Sequence, residues 1–225
     1  MADFDDIMRT TFACRQFTED PVNDATIHRI LDTARFAPSG GNRQGNRVIV
    51  LRDKEVRRQL VPMVREASAI YVEQTMAGES PWQSVKPTSI DEGAVRANPA
   101  EDAMRAGTTL VTSPVLLVIT LDLGRTASFD KDLDRVGVIS GASIYPFVWG
   151  ILLAARNEGL GGVLTTYAAD KEPEVQRLLN IPDHHAVAAL VPLGHPVKQL
   201  TKLKRNPVEQ IATRERFDGE PFTCN

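Results

Sequence analysis

Apolar residues fall on one helical face in two stretches of the first half of the chain. Over residues 23–37 they recur at intervals of three and four, Asn23 or Asp24 is a candidate N-cap, and Pro38 stops the helix. The same helical period runs through residues 54–76. Both patterns have one apolar side only, so each predicts an amphipathic helix that packs against a core.

Short apolar runs elsewhere in the chain predict strands, and one stretch of mixed polar and apolar residues between two of them predicts a further helix. The segment 136–162 is nearly uncharged but is interrupted by glycine and proline, so we expect a central buried helix there rather than a membrane span. The chain shows no internal repeat and no clear linker, which predicts a single α+β domain over residues 1–225. The predicted strands are RVIVLR (47–52), PVLLVIT (114–120), GVLTTY (162–167) and AVAALVPLG (186–194), and the further helix is PEVQRLLN (173–180).

Residues 77–100 lose the periodicity of the preceding helix. They gain proline, glycine and polar residues but keep one tryptophan, Trp82. Loops of this length in a compact domain are usually functional lids or disordered segments. We therefore expect 77–100 to be an excursion from the domain, either a lid or a disordered loop.

The charge balance and the first twenty residues limit the partners and the location of the protein. The formal net charge of −3 and the isoelectric point near 5.8 argue against nucleic acid or an anionic membrane as the main partner. Residues 1–20 carry early acids and no long apolar run, so we expect no signal segment, no membrane anchor and a cytoplasmic protein. Cys14 and Cys224 are then unpaired thiols, and two cysteines with scattered histidines do not predict a metal site.

The stretch APSGGNRQGNRVIVL, residues 37–51, has the composition of a binding loop. A phosphate-binding loop places a strand before the glycines and a helix after them, whereas here the helix comes first and the strand second. What remains is a set of neutral groups that both donate and accept hydrogen bonds, in Ser39, Asn42 and Gln44. Such groups suit the edge of a heterocycle better than a phosphate, although a simple turn explains the glycines equally well.

Four segments, in order along nearly the whole chain, carry a resemblance to one family. They are MRTTFACRQFTEDPV (8–22), APSGGNRQ (37–44), WGILLAARNEGLGGVLTT (149–166) and LVPLGHPVKQLTKLKRNPVEQI (190–211). They resemble the N-terminal basic motif, the APSxxNxQP loop, the LLLAA helix with its GLG end and the late KRxP segment of the FMN-dependent nitroreductase family, which includes flavin reductases and iodotyrosine deiodinases.

The resemblance implies a fold, a cofactor and a reaction. The fold would be α+β with three layers, a central mainly antiparallel sheet flanked by helices, in an intertwined homodimer with 206–225 as a C-terminal extension. FMN would take a hydride from NADH or NADPH and pass reducing equivalents, in a second half-reaction, to a small organic acceptor such as a nitroaromatic or a quinone. The cofactor would carry the chemistry, so no catalytic side chain is implied. The residues at matching positions, implied to bind FMN, are Arg15, Pro38, Ser39, Gly40, Asn42, Thr165, Thr166 and, toward the phosphate, Arg205.

The chain also departs from the family pattern. Thr11, Phe12 and Ala13 stand where the family has arginine, arginine and serine, and Gly45-Asn46 follows Gln44 where the family has proline and tryptophan. Two alternatives to a general reductase stay open. One is a specialised relative, a reductive dehalogenase or a reductase of unsaturated carbonyls, and the other is a flavin-binding protein without turnover.

Overall fold

A computed structural model describes residues 3–100 and 104–224 of the chain. Among these residues an antiparallel sheet of four strands lies between helices. The helices are α1 (Phe4–Thr10), α2 (Asp24–Ala34), α3 (Lys54–Met76), α4 (Glu92–Ala97), α5 (Met104–Thr112), α6 (Tyr145–Asn157) and α7 (Glu172–Leu179). The strands are β1 (Asn46–Leu51), β2 (Val115–Asp122), β3 (Gly161–Gly162) and β4 (His185–Gly194).

The sheet has the order β1-β2-β4-β3, and every neighbouring pair is antiparallel. Strand β2 is central and almost wholly buried, as its continuous apolar sequence predicts. Its register with β4 shifts between Ile119 and Thr120, and Asp122 is paired with His185 at the far end. The prediction of an α+β fold around an antiparallel sheet is confirmed.

Alternate residues of β2 face two different helical layers. Leu117 and Ile119 belong to a cluster with α2 and α6, whereas Leu116 and Val118 belong to a second cluster with α3, α5 and α7. This alternation is the period-2 rule of a strand applied to a sheet covered on both faces. The predicted arrangement of three layers is therefore present.

Several element boundaries differ from the predicted ones for local reasons. Helix α2 starts where expected, with the Asn23 side chain accepting from the Thr26 N–H at 2.8 Å, but it ends at Ala34, before Pro38 is reached. The apolar segment 136–162 contains a 3₁₀ turn before α6, and α6 begins beside Pro146. Of the predicted strand 162–167, Gly162 belongs to β3 and Thr165 makes one isolated bridge to Leu190 of β4.

The remaining expectations concern the membrane, the cysteines and the tail. No helix in the described ranges has the length and apolar content needed to cross a membrane. Cys14 is buried and Cys224 is exposed, and both are free thiols, as predicted. Residues 206–224 form turns and one 3₁₀ turn, with Phe217 fully exposed.

Candidate functional site

A cavity of about 600 Å³ opens between α3, α5 and the segment that follows β3. This volume lies within the usual range for small-molecule and cofactor sites. We call it the main cavity. It is lined by Arg15, Ala67, Tyr71, Pro81, Trp82, Ala106, Thr109, Leu110, Val163, Leu164, Thr165, Thr166, Tyr167, Ala169, Asp170 and Pro192.

Arg15 reaches the main cavity because the N-terminal segment is tied to β3. Ala13 forms a parallel bridge with Gly162, and the N–H of Cys14 donates to the Gly162 carbonyl at 2.9 Å. Any side chain at Gly161 would collide with Cys14, since an added Cβ would lie 2.8 Å from the Cys14 Cβ. The guanidinium of Arg15 is exposed and, among the described residues, donates to the Ala13 carbonyl at 3.4 Å and to no carboxylate, which leaves it accessible to an anionic ligand.

Thr165 presents the most informative polar atom of the main cavity. Its backbone pairs with Leu190 through two hydrogen bonds of 3.0 and 2.8 Å, which fixes the residue against β4. Its hydroxyl Oγ1 is buried and has no hydrogen-bond partner among the described residues. Buried hydroxyls are normally paired, so Thr165 Oγ1 is a candidate hydrogen-bond partner for a ligand in the main cavity. The adjacent Thr166 is exposed at the mouth of the cavity.

Trp82 covers part of the main cavity from the excursion 77–100. Its indole Nε1 donates to the Ala67 carbonyl at 3.2 Å, and its backbone N–H donates to Gln74 Oε1 at 2.9 Å. Gln74 is buried in α3 and also donates to Thr88 Oγ1 at 3.2 Å. One buried amide therefore attaches two parts of the excursion to α3, and the segment lies over the cavity in a defined conformation.

A cluster of charged side chains anchors the end of the excursion beside the same cavity. Arg96 of α4 makes two bonds to the Asp170 carboxylate, at 2.5 and 2.9 Å, and a third to Glu66 at 3.3 Å. Lys171 contacts Glu66 at 2.9 Å. The hydrogen bonds to Asp170 raise the pKa of Arg96 above its ordinary value. Asp170 lines the cavity, but its charge is neutralised by Arg96 and is not free to bind a ligand cation.

Two tyrosines complete the wall next to Trp82. The rings of Tyr71 and Tyr167 meet edge to face with centroids 6.0 Å apart. Burial raises the pKa of Tyr167, so its hydroxyl stays protonated near neutral pH. The wall is therefore aromatic and uncharged.

The loop of residues 38–44, whose polar groups suit the edge of a heterocycle, lies outside the main cavity of its own chain. Ser39 Oγ accepts from the Gln44 N–H at 3.0 Å, and the Asn42 N–H donates to the Ser39 carbonyl at 2.8 Å. Gly41 and Asn42 have positive φ, as a tight turn with these residue types requires. Gly40 and Asn42 are exposed, while Pro38 lines a second cavity, of about 490 Å³, together with Trp149.

The structure brings together some of the residues predicted from sequence and leaves others apart. Arg15, Thr165 and Thr166 meet in the main cavity. The loop residues Pro38, Ser39, Gly40 and Asn42 do not line it, and neither does Arg205, which is exposed and donates to the carbonyl of Lys204 at 2.7 Å.

Sequence reasoning missed the anchors of the excursion and the reasons for two departures from the family pattern. Nothing in the sequence links Arg96 to Asp170, which lies 74 residues later. Thr11 is buried and its hydroxyl donates to the Ile7 carbonyl at 2.7 Å, so it caps α1. Gly45 is also buried, and an added Cβ would lie 3.2 Å from both Arg125 Cβ and the Asp122 carbonyl oxygen.

Comparison with known sequences identifies the class of protein. The sequence model of the Nitroreductase family matches residues 8–195, which is most of the chain. The protein therefore belongs to the nitroreductase family, and the resemblance seen in its motifs is confirmed.

Individual relatives come from two branches. The chain is 28% identical over 213 residues to iodotyrosine deiodinase 1 of Homo sapiens, covering 93% of this chain and 67% of that protein. It is 27% identical over 198 residues to an NADH dehydrogenase of Thermus thermophilus, covering 88% of each.

Solved structures share the fold. An iodotyrosine deiodinase bound to FMN and 3-iodo-L-tyrosine superposes with a TM-score of 0.67 at 21% identity, over 94% of this chain and 98% of that one. The NADPH:FMN oxidoreductase of Vibrio harveyi, complexed with NAD+, gives a TM-score of 0.65 at 18% identity, over 94% and 76%.

Proposed function

We propose that this protein is an FMN-dependent oxidoreductase that uses NADH or NADPH to reduce a small, uncharged aromatic acceptor, such as a nitroaromatic or a quinone. The observation that carries the proposal is the buried hydroxyl of Thr165, which has no partner among the described residues and lies in a cavity of cofactor size. Family membership and FMN in the solved relatives support it.

The side chains of the cavity fit FMN in type. A flavin needs hydrogen-bond partners along its ring and a cation near its anionic parts. Thr165 and Thr166 supply neutral groups, and Arg15 supplies an exposed cation. FMN, when bound, supplies hydride transfer from the nicotinamide to the acceptor, so the residues here have to bind, orient and exclude water. The cover formed by Trp82 and Pro81 suits the last of these roles.

The acceptor class follows from the charges around the cavity. An amino-acid acceptor carries an ammonium and a carboxylate, and ion pairs with both would require an unpaired acid as well as an unpaired base. Among the described residues Arg15 has no carboxylate partner, and the one carboxylate among the described lining residues, that of Asp170, is bonded twice to Arg96. The aromatic wall of Tyr71, Trp82 and Tyr167 instead favours a planar ring without charge.

We further propose a homodimer in which the loop 38–42 of one protomer completes the main cavity of the other. Within one chain the loop and the cavity are separate, although both match family positions for the flavin. The second cavity, which Pro38 lines, is flanked by Phe4 and Phe36, whose exposed fractions are 68% and 74%. Such apolar exposure is typical of a surface that a partner covers. A sharp monomer in sedimentation velocity, with FMN bound, would refute the dimer.

The decisive experiment is reduction of the purified protein in the absence of oxygen. We expect one FMN per chain and bleaching of its absorbance by NADH or NADPH, followed by reoxidation on addition of a quinone or a nitroaromatic. Protein that binds no flavin, or whose flavin is never bleached by either nicotinamide, would overturn the proposal. The second outcome would instead favour a flavin-binding protein without turnover.

Arg205 is tested in the same preparation. Its replacement by alanine is expected to weaken FMN retention roughly tenfold or more, because a charge-assisted contact to the phosphate would be lost. Arg216→Ala, an exposed arginine of the same C-terminal segment, is the matched control. Equal FMN affinity in both variants would remove Arg205 from the site.

A reductive dehalogenase is the second candidate, favoured by the identity to the deiodinases. The two functions differ in the acceptor that reoxidises the reduced protein. Reoxidation by 3-iodo-L-tyrosine with release of iodide, faster than by quinones, would replace the first proposal by the second.

A further inference from the structure

Two histidines and an aspartate converge at the end of the sheet, outside both cavities. Asp122 ends β2 and is the register partner of His185, which begins β4, and His184 precedes it in the turn. One candidate ligand atom from each of the three residues lies within 4.8 Å of the others. We propose that Asp122, His184 and His185 form a binding site for a divalent transition metal of the Zn²⁺ type.

The donor set determines the kind of ion. Two imidazole nitrogens with one carboxylate oxygen suit Zn²⁺ and its neighbours Co²⁺, Ni²⁺ and Cu²⁺, whereas Mg²⁺ and Ca²⁺ prefer oxygen alone. Three protein ligands leave one position of a tetrahedral ion for water. In a tetrahedral zinc site the ligand atoms lie about 3.3 Å apart, so the present separations close by a small side-chain rotation.

His184 is the residue that can rotate. Its side chain is 59% exposed, whereas His185 is buried and held in place. The two rings already meet edge to face with centroids 4.9 Å apart. The turn itself is fixed, because the Leu123 N–H donates to the His184 carbonyl at 3.0 Å.

One of the two imidazoles, that of His185, has an oxygen neighbour within hydrogen-bond distance. Thr120 Oγ1 lies 3.1 Å from Nδ1 of His185, and Asp183 Oδ1 lies 3.7 Å from Nδ1 of His184. The His184–Asp183 separation exceeds hydrogen-bond distance, whereas a proton on Nδ1 of His185 would be donated to Thr120 Oγ1 and would leave Nε2 of that ring with a lone pair for a metal.

The Asp122 carboxylate has two other contacts that a metal has to accommodate. Oδ1 accepts from the Gly124 N–H at 2.9 Å, a bond compatible with metal binding at the carboxylate. Oδ2 lies 3.5 Å from Nε of Arg125, whose side chain is 58% exposed and also donates from Nη1 to the Arg43 carbonyl at 3.5 Å. The Asp122 N–H also donates to the Gly45 carbonyl at 2.9 Å, so a bound ion would brace the base of the loop 38–44.

The test uses untagged full-length protein stripped with a chelator and then titrated with Zn²⁺ against a chromophoric competitor. We expect one Zn²⁺ per chain and a higher unfolding temperature with the ion. His184→Asn and Asp122→Asn are each expected to weaken binding by at least about tenfold. His28→Asn, an exposed histidine of α2, is the matched control and should bind as the wild type does.

Both variants are chosen to keep the fold. His184 is largely exposed, and asparagine at 122 retains an oxygen for the Gly124 N–H. X-ray absorption of the zinc complex should show two imidazole ligands. Absence of saturable one-to-one uptake, wild-type affinity in His184→Asn, or a shell of oxygen atoms only would each overturn the proposal.

Discussion

Replacing Thr165 by valine separates the stability of the protein from its affinity for a ligand. The hydroxyl Oγ1 is buried and unpaired within the part of the chain that the structure describes, while the backbone of Thr165 is held by Leu190. Valine has nearly the same shape, is favoured at a strand-like position and has no polar atom to bury. The substitution should therefore raise the stability of the flavin-free protein and lower its affinity for FMN.

The magnitudes follow from the cost of an unpaired hydroxyl and the value of a hydrogen bond. A buried hydroxyl without a partner costs about 1–3 kcal/mol, so flavin-free Thr165→Val should be more stable by about 1 kcal/mol. For a chain of this size that corresponds to a rise in Tm of about 2–4 °C. A hydrogen bond to the ring contributes about 0.5–1.5 kcal/mol, so FMN affinity should fall about two- to tenfold.

The assay is urea unfolding of the flavin-free protein together with fluorescence titration of FMN. Ser113→Ala is the matched control, because Ser113 also has a buried, unpartnered hydroxyl but does not line the main cavity. It should raise stability without changing FMN affinity. A Thr165→Val protein that is less stable and binds FMN as tightly as the wild type would refute the assignment of this hydroxyl to a ligand.

Three further predictions concern charged side chains. Arg57 is 1% exposed and donates to three backbone carbonyls. Arg57→Met should therefore lower the free energy of unfolding, measured in urea, by about 3 kcal/mol. The control Arg58→Met, at an exposed ion pair, should change it by less than about 0.5 kcal/mol. Arg96→Gln should speed amide exchange in 82–97 while leaving global unfolding nearly unchanged, and unchanged exchange would contradict its role as an anchor. The N–H of Val138 and the guanidinium of Arg135 lower the pKa of Asp130 to about 2 from its ordinary 3.8. The folded state thus favours the ionised Asp130, which stabilises the protein above about pH 4. This stabilisation is lost as the pH falls toward 2, and Asp130→Asn should abolish that part of the acid unfolding transition.

The sequence predicted the elements well where one periodic pattern decided them. Helix α3 occupies the predicted range 54–76, and β2 follows the most continuous apolar run. Predictions failed where backbone pairing decided, since the strand expected over 162–167 joins the sheet only through Gly161–Gly162 and one bridge at Thr165. Local composition records strand propensity, but it does not record which neighbour supplies the hydrogen bonds.

For the candidate site, the sequence predicted which residues belong together but not the contacts that bring them together. Arg15 and Thr165 could be assigned to one site because their motifs are those of the family, but the contact that joins them is the bond from Cys14 to the Gly162 carbonyl. Arg96 and Asp170 could not be paired in advance, because each stands in an ordinary polar stretch. They meet because α4 and the 3₁₀ turn Tyr167–Lys171 both pack on α3.

The loop 38–42 shows why a motif does not determine a position in one chain. Its composition suits a heterocycle, yet the Ser39 hydroxyl accepts a hydrogen bond and the Asn42 N–H donates one within the loop itself. The side chain of Asn42 is exposed. The main cavity of the same chain is lined by the cation of Arg15 and the hydroxyl of Thr165, and its described lining residues include no asparagine or glutamine. In the proposed homodimer the loop of one protomer would supply these groups to the cavity of the other, and by two-fold symmetry each chain would provide one half of each site. The separation of loop and cavity therefore supports the dimer rather than weakening the assignment of either half.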